Sequence, residues 1–221
     1  AMPVPNWVPL AAKCGAVLAV VLVFGIVGAL AGMGFQAWRG YTQFEPLLYV
    51  QAIALGAIPF VLTGLLGVAV QVLCNNKFLG YLVVLLVYVS EGVLGALDFD
   101  HNLMQFGGAP LAPYSDMNGW GHYLTGTLWF YAYWLAFSAV LLLLGAAFWV
   151  RGTAPSGAER RRAAWHKLRG PTGRWLVVAA LAWVSIGGWI YYNTNVLNSY
   201  RSGDQAMDLQ ARYEKEYAQY K

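Results

Sequence analysis

Five long apolar stretches constrain this chain more than any other feature of its sequence. A helix rises 1.5 Å per residue, so about 20 apolar residues are needed to cross a hydrocarbon layer of roughly 30 Å. Only 11% of the residues are charged, against about 25% in an ordinary soluble domain. The sequence therefore predicts an all-α polytopic membrane protein, a bundle of five transmembrane helices over residues 12–37, 47–73, 78–97, 123–150 and 175–192.

The basic residues between the stretches predict the orientation. Nine bases and one acid, Glu159, fall on one side: Lys13, Lys77, Arg151, Arg160, Arg161, Arg162, Lys167, Arg169 and Arg174. Short loops rich in lysine and arginine stay in the cytoplasm. We therefore expect a cytoplasmic N-terminus and a periplasmic or extracellular C-terminus. The same clustering between apolar stretches argues against a nucleic-acid-binding face, and we expect Cys14 and Cys74 to be reduced thiols.

The chain changes character after residue 194. Residues 195–221 are polar and rich in helix formers, and Ser202 is a suitable N-cap residue. Tyr213, Tyr217 and Tyr220 have the spacing of a single helical stripe. This pattern predicts an extracytoplasmic helix after a transmembrane domain of residues 1–194, serving either as a linker to another domain or as a tail.

Acidic and imidazole side chains gather toward the outer side. Glu91 is the charged residue placed well inside a predicted span, and we interpret it either as a coupling carboxyl or as a structural group close to the boundary. The loop between the third and fourth spans carries five further candidates: Asp98, Asp100, His101, Asp116 and His122. They have the ligand types of a divalent metal site, but their spacing matches no metal motif, and turn-forming roles are favoured.

Close helix packing is the natural interpretation of the glycines inside the spans, among them Gly64 and Gly67. Pro59, in the middle of the second span, predicts a kink.

The basic loop carries five candidate contacts for anionic lipid or for a cytoplasmic partner: Arg160, Arg161, Arg162, Lys167 and Arg169. The chain has no phosphate-binding G-x-x-x-x-G-K-[ST] motif, no H-E-x-x-H and no G-x-S-x-G. We therefore assign it no catalytic residue and no cofactor, and any ATP hydrolysis would come from another polypeptide.

Several strings are more distinctive than apolar composition. They are YTQFEPLLYVQ (41–51), VQVLCNNKFLGYL (70–82), FDHNLMQFG (99–107), PYSDMNGWGH (113–122), FWVRGT (148–153) and GGWIYYNTNVLN (187–198). They resemble segments of bacterial permease–aminopeptidase fusions, inner-membrane proteins in which spans like those of type-2 ABC exporters precede a zinc aminopeptidase-like domain. The resemblance covers nearly all of the chain from Tyr41 onward.

This resemblance implies a type-2 ABC permease-like fold in the bacterial inner membrane. It implies that the chain is the second membrane half of such a fusion, with a separate ATP-binding subunit and either another permease half or a second copy as partners. Two features depart from the family. The chain has five predicted spans where such permeases usually have six, and it lacks the peptidase motif, so no catalytic residue is carried over.

Two other functions stay open at this point. The chain could be a membrane anchor or scaffold that presents an extracytoplasmic hydrolase domain. It could also be an intramembrane enzyme that uses Glu91 and the acidic and histidine residues of the outer loop.

Overall fold

The computed structural model describes residues 7–97, 99–150 and 157–218. These residues form seven α-helices: α1 (Trp7–Trp38), α2 (Pro46–Cys74), α3 (Lys77–Ala96), α4 (Tyr123–Phe148), α5 (Gly157–Leu168), α6 (Pro171–Tyr191) and α7 (Gly203–Tyr217). A π-helical segment, Tyr192–Leu197, continues α6. The described residues contain no β-strand, which agrees with the predicted all-α class.

Five of these helices are long and apolar enough to cross a membrane: α1, α2, α3, α4 and α6 with its π-helical continuation. The five predicted spans are therefore confirmed as helices that can insert into a bilayer. Two of these helices begin earlier than the predicted spans. Helix α1 begins at Trp7 rather than near residue 12, and α6 begins at Pro171 rather than near residue 175. Proline favours the first turn of a helix, where its missing N–H would have no intrahelical partner.

Helix α5 corrects the prediction that the whole basic segment is a loop. Its sequence, GAERRRAAWHKL, is rich in alanine, arginine and other strong helix formers. Glu159 lies in its first turn and Lys167 in its last, which is the favourable arrangement for a helix dipole. The helix ends at Leu168, just before Gly170 and the proline that opens α6.

The turn between α2 and α3 has well-defined end signals. Asn75 adopts the left-handed conformation (φ 54°), and its backbone N–H donates to Gln71 O. The side-chain Oδ1 of Asn76 then accepts from the backbone N–H groups of Phe78 (2.9 Å) and Leu79 (3.2 Å). Asparagine is among the residues best suited to both positions. Helix α2 continues without interruption through Pro59.

The chain divides into two compact units, and the division falls inside α3, α4 and α6. Unit 1 comprises Ala1–Tyr81 and Phe137–Ala179. Within it, α1 packs on α2 through small residues. A Cβ atom at Gly64 would overlap the side chain of Val17, and one at Gly25 would lie 2.9 Å from Ile53. The close packing predicted from the glycines is thus present at Gly64 and occurs also at Gly25, whereas Gly67 has open space around it.

Unit 2 comprises Leu82–Ala136 and Ala180–Lys221. Its buried aromatic side chains lie on α4: Phe130, Tyr133 and Trp134. The indole N–H of Trp134 donates to the backbone oxygens of Asn102 (3.2 Å) and Gly108 (3.1 Å). These bonds hold the loop between α3 and α4 against α4.

The tyrosine stripe predicted near the C-terminus lies on α7. The ring centres of Tyr213 and Tyr217 are 4.5 Å apart, as expected for residues one helical turn from each other. The third member of the predicted stripe, Tyr220, lies outside the described residues.

Candidate functional sites

Arg160 ties α5 to the carboxyl ends of two spans in unit 1. Its Nη2 donates to the backbone oxygens of Val72 (3.0 Å) and Leu73 (3.2 Å), in the last turn of α2. Its Nε donates to the oxygen of Phe148 (3.4 Å), the last residue of α4. The final carbonyls of a helix have no intrahelical partner and carry partial negative charge. A half-buried guanidinium satisfies several of them at once.

Lys167 makes a second tie near the other end of α5. Its Nζ donates to the backbone oxygens of Trp149 (2.7 Å) and Ala146 (3.3 Å), at the end of α4. Burial lowers the pKa of this ammonium from its ordinary value, because a charged group loses hydration there. The two ties hold α5 to the carboxyl ends of α2 and α4.

The other three predicted contact residues, Arg161 and Arg162 on α5 and Arg169 directly after it, are exposed. The guanidinium of Arg169 lies 5.2 Å from the ring centre of Trp165, which is itself exposed. The structure therefore divides the five predicted bases into two groups. Arg160 and Lys167 bind the ends of α2 and α4, and the other three are exposed.

In unit 2, Asp100 joins the loop after α3 to the start of α7. Its Oδ1 accepts from the hydroxyl of Tyr200 (2.7 Å), and its Oδ2 accepts from the backbone N–H of Gly203. These two hydrogen bonds lower the pKa of the carboxyl from its ordinary value, and the bond from the Tyr200 hydroxyl has the larger effect. Ser202 caps the same helix, since its Oγ accepts from the N–H of Gln205 (3.5 Å). The predicted N-cap is confirmed.

The contacts of Asp100 with Tyr200 and Gly203, which we term the joint, are extended to the π-helical segment by His101. Its Nδ1 accepts from the backbone N–H of Leu103 (3.1 Å), which places the proton of the neutral ring on Nε2. Nε2 lies 3.3 Å from Oγ1 of Thr194, and the ring centre lies 4.4 Å from that of Tyr200. Burial lowers the pKa of the imidazole, against smaller opposing effects of a hydrogen bond with Asn195 and the charge of Asp100. The lowered pKa favours the neutral ring.

Glu91 contacts the loop rather than a second charge. Its Oε1 accepts from the backbone N–H of Phe106 (2.8 Å). The carboxyl is half-buried near the end of α3 and fixes the middle of the loop to that helix.

Asp116 and His122 lie in a separate part of the same loop, and both are exposed. The turn predicted at Asp116 is present, closed by backbone hydrogen bonds between Ser115 and Gly119. The imidazole of His122 lies against Tyr123, with ring centres 4.1 Å apart. Among residues 7–97, 99–150 and 157–218, no three His, Cys, Asp or Glu side chains come close enough to hold a metal ion. Asp98 lies outside the described residues.

Sequence reasoning missed two partners in the joint, Tyr200 and Thr194. Tyr200 lies a hundred residues from Asp100 along the chain, so no local pattern links them. The one available signal was the string GGWIYYNTNVLN, whose polar residues follow directly on an apolar span.

Comparison with known proteins gives no relative: no protein-family model, curated protein or solved structure matches the chain. The function is therefore argued from the residues and their geometry.

Proposed function

We propose that the chain is the membrane-spanning domain of an exporter complex resembling type-2 ABC transporters, driven by a separate ATP-binding subunit. The observation that carries this proposal is the attachment of α5 to α2 and α4 through Arg160 and Lys167. A short polar helix fixed to the ends of two spans can pass a displacement made by a soluble subunit to those spans. The chain itself hydrolyses nothing, and a second permease half or a second copy completes the complex.

The two ties suit this role because they are made of charge-assisted hydrogen bonds. Such bonds are about twice as strong as neutral ones and favour a defined geometry. A push on α5 therefore moves the ends of α2 and α4 with it. The exposed turn at Asn75 and Asn76, next to the same end of α2, offers a further surface to the ATP-binding subunit.

Purification from the native membrane tests this proposal. We expect an ATP-binding subunit to be retained after mild cross-linking. The double variant Arg160→Met, Lys167→Met should retain the subunit but change its rate of ATP hydrolysis by several-fold, because the mechanical connection is lost. Arg201→Met removes an exposed base beside α7 and should leave the rate unchanged. Purification without any ATP-binding subunit, after cross-linking in the native host, would contradict the proposal.

One observation favours the second candidate function, a membrane anchor that presents an extracytoplasmic hydrolase. The joint of Asp100 with Tyr200 and Gly203 fixes the start of α7 to the loop after α3. A domain that followed α7 would inherit this attachment. If an attached hydrolase worked equally well on an unrelated anchor, and no ATP-binding subunit bound, the anchor would be the better account.

The proposed location is the bacterial inner membrane, with the N-terminus in the cytoplasm and α7 outside. Single cysteines at Gly157 and Met117, in a chain lacking Cys14 and Cys74, test this orientation, since both positions are exposed. A membrane-impermeant maleimide added to intact cells should label the cysteine at position 117 and spare the one at 157. The reverse pattern would refute the orientation.

A further inference from the structure

Helix α5 has two faces of different chemistry. Successive residues of a helix are 100° apart, so Arg160, Ala164 and Lys167 lie on one face. Ala164 is buried, and the two bases bind the carbonyls that end α2 and α4. The opposite face, which we term the outer face, carries four exposed residues of the helix and the exposed residue that follows it: Arg161, Arg162, Trp165, His166 and Arg169.

The inner-face contacts place α5 at the depth where phospholipid headgroups lie. Helix α2 has 29 residues and α4 has 26, which correspond to lengths of about 43 Å and 39 Å. Both helices exceed the roughly 30 Å of the hydrocarbon layer, so their ends reach the headgroup region. A helix bound to those ends lies in the same region.

The outer face has the composition that binds an anionic membrane surface. Arginine presents a planar fork of donors that matches the oxygens of a phosphate. Trp165 is 61% exposed, an unfavourable state in water but a favourable one in the headgroup region, where a ring buries its body and keeps its N–H hydrated. The acid of α5, Glu159, is exposed in its first turn and lies on the same side of the helix as His166, which is seven residues further along. The outer face and the adjoining Glu159 therefore combine three arginines and one carboxylate, an excess of positive charge, with an interfacial anchor.

We propose that the outer face of α5 binds the headgroup phosphates of anionic phospholipid in the leaflet on its own side of the membrane. Arg161, Arg162 and Arg169 bind the phosphates, and the ring of Trp165 inserts between headgroups beside Arg169. The charge and the exposed tryptophan together favour lipid over the acidic surface of a soluble protein, which would have to bury the ring in a matching pocket. With lipid on the outer face, the ATP-binding subunit proposed above would contact α5 at its exposed first residues, 157–159. The inference does not depend on the proposed transport function, because it requires only that α5 lies at the headgroup level.

Lipid retention tests the proposal directly. The full chain is reconstituted in discs containing equal amounts of phosphatidylglycerol and phosphatidylcholine, re-extracted in mild detergent, and its bound lipid is quantified by mass spectrometry. We expect the wild-type chain to retain phosphatidylglycerol in several-fold excess. One base near an anionic surface changes the binding constant roughly fivefold. Each single Arg→Gln change on the outer face should lower the affinity for phosphatidylglycerol by about that factor, and the triple variant should retain both lipids equally.

The matched control removes three exposed bases elsewhere, with Arg201→Gln, Arg212→Gln and Lys215→Gln at α7. This variant loses the same charge and should keep its preference for phosphatidylglycerol. Equal loss in both triple variants would overturn the proposal, since it would mean that only total charge matters. The single variants keep the test decisive if a triple variant does not fold.

Trp165 gives an independent measurement. Brominated lipids quench tryptophan within contact distance, and the difference between the wild-type chain and Trp165→Phe isolates this ring. We expect brominated phosphatidylglycerol to quench it more than brominated phosphatidylcholine does. No quenching by either lipid would contradict the proposal. The proposal would also be contradicted if the outer-face triple variant lost a soluble protein partner but still retained phosphatidylglycerol as the wild-type chain does.

Discussion

Replacing Arg160 with alanine tests whether α5 is held by its bonds to helix ends. The change removes two hydrogen bonds from Nη2 to the last turn of α2, at 3.0 Å and 3.2 Å, and a longer one from Nε to the end of α4, at 3.4 Å. The carbonyls of Val72 and Leu73 then lose a charged donor in half-buried surroundings. The backbone of all three helices is otherwise unaltered.

The size of the effect follows from the number of bonds and their exposure. A hydrogen bond from a charged group contributes about 1.5–3 kcal/mol. Water at the boundary can replace part of the lost donation, so two strong bonds at the lower end of that range give a loss of about 2–3 kcal/mol. For a chain of this length, each kcal/mol shifts the melting temperature by about 2–4 °C. We therefore expect Arg160→Ala to lower the melting temperature by about 5–10 °C.

Thermal unfolding in detergent, followed by circular dichroism, measures this shift. Arg161→Ala is the matched control, because it removes the same charge from the adjacent, exposed position. Exposed substitutions of this kind change stability by about 0.5 kcal/mol or less, so the control should melt within about 2 °C of the wild-type chain. Equal melting temperatures for the two variants would refute the attachment of α5 through Arg160.

Three further predictions concern the joint and the helix packing. Asp100→Asn keeps one acceptor oxygen instead of two, so the backbone amide of Gly203 should exchange its hydrogen faster at pH 7. The pKa of the wild-type carboxyl is lowered in the folded chain, so its hydrogen bonds should persist at any pH above the ordinary pKa of 3.8 and weaken only as the pH falls through the lower pKa of the folded state. The pKa of His101 is lowered in the folded chain, so the unfolded chain takes up the proton at a higher pH than the folded chain does. The melting temperature should therefore decline as the pH falls below about 6.5, and His101→Gln should abolish that decline. Gly64→Ala should destabilise the chain by about 1–3 kcal/mol, because the added methyl group overlaps a valine of α1. Gly67→Ala, on the same helix but with open space around it, should stabilise the chain by up to about 1 kcal/mol. Equal melting temperatures for the two variants would contradict the packing of α1 on α2.

The sequence was sufficient for the spans, because each is set by a single property, the length of an apolar run. Capping was also readable, since a serine directly before a run of helix formers is well suited to accept from the free N–H groups of the first turn. The N-cap at Ser202 and the turn at Asp116 were both predicted from local chemistry alone.

The contacts made by Arg160 and by Asp100 could not be predicted from local sequence in this way. Arg160 and Arg161 are adjacent and identical in type, yet one binds helix ends and the other is exposed. Their difference follows from the 100° step of a helix that composition alone had assigned to a loop. The pairing of Asp100 with Tyr200 depends on how α6 and its π-helical segment bring distant residues together. No pattern within either segment contains that information.

The ties made by Arg160 and Lys167 also bear on how the chain is made. In the proposed orientation, these positive charges help to keep their segment on the cytoplasmic side during synthesis. In the finished protein, the same two side chains bind the ends of α2 and α4. One substitution at either position therefore weakens both a topological signal and a structural contact, so reduced yield in cells and reduced stability after purification have to be measured separately.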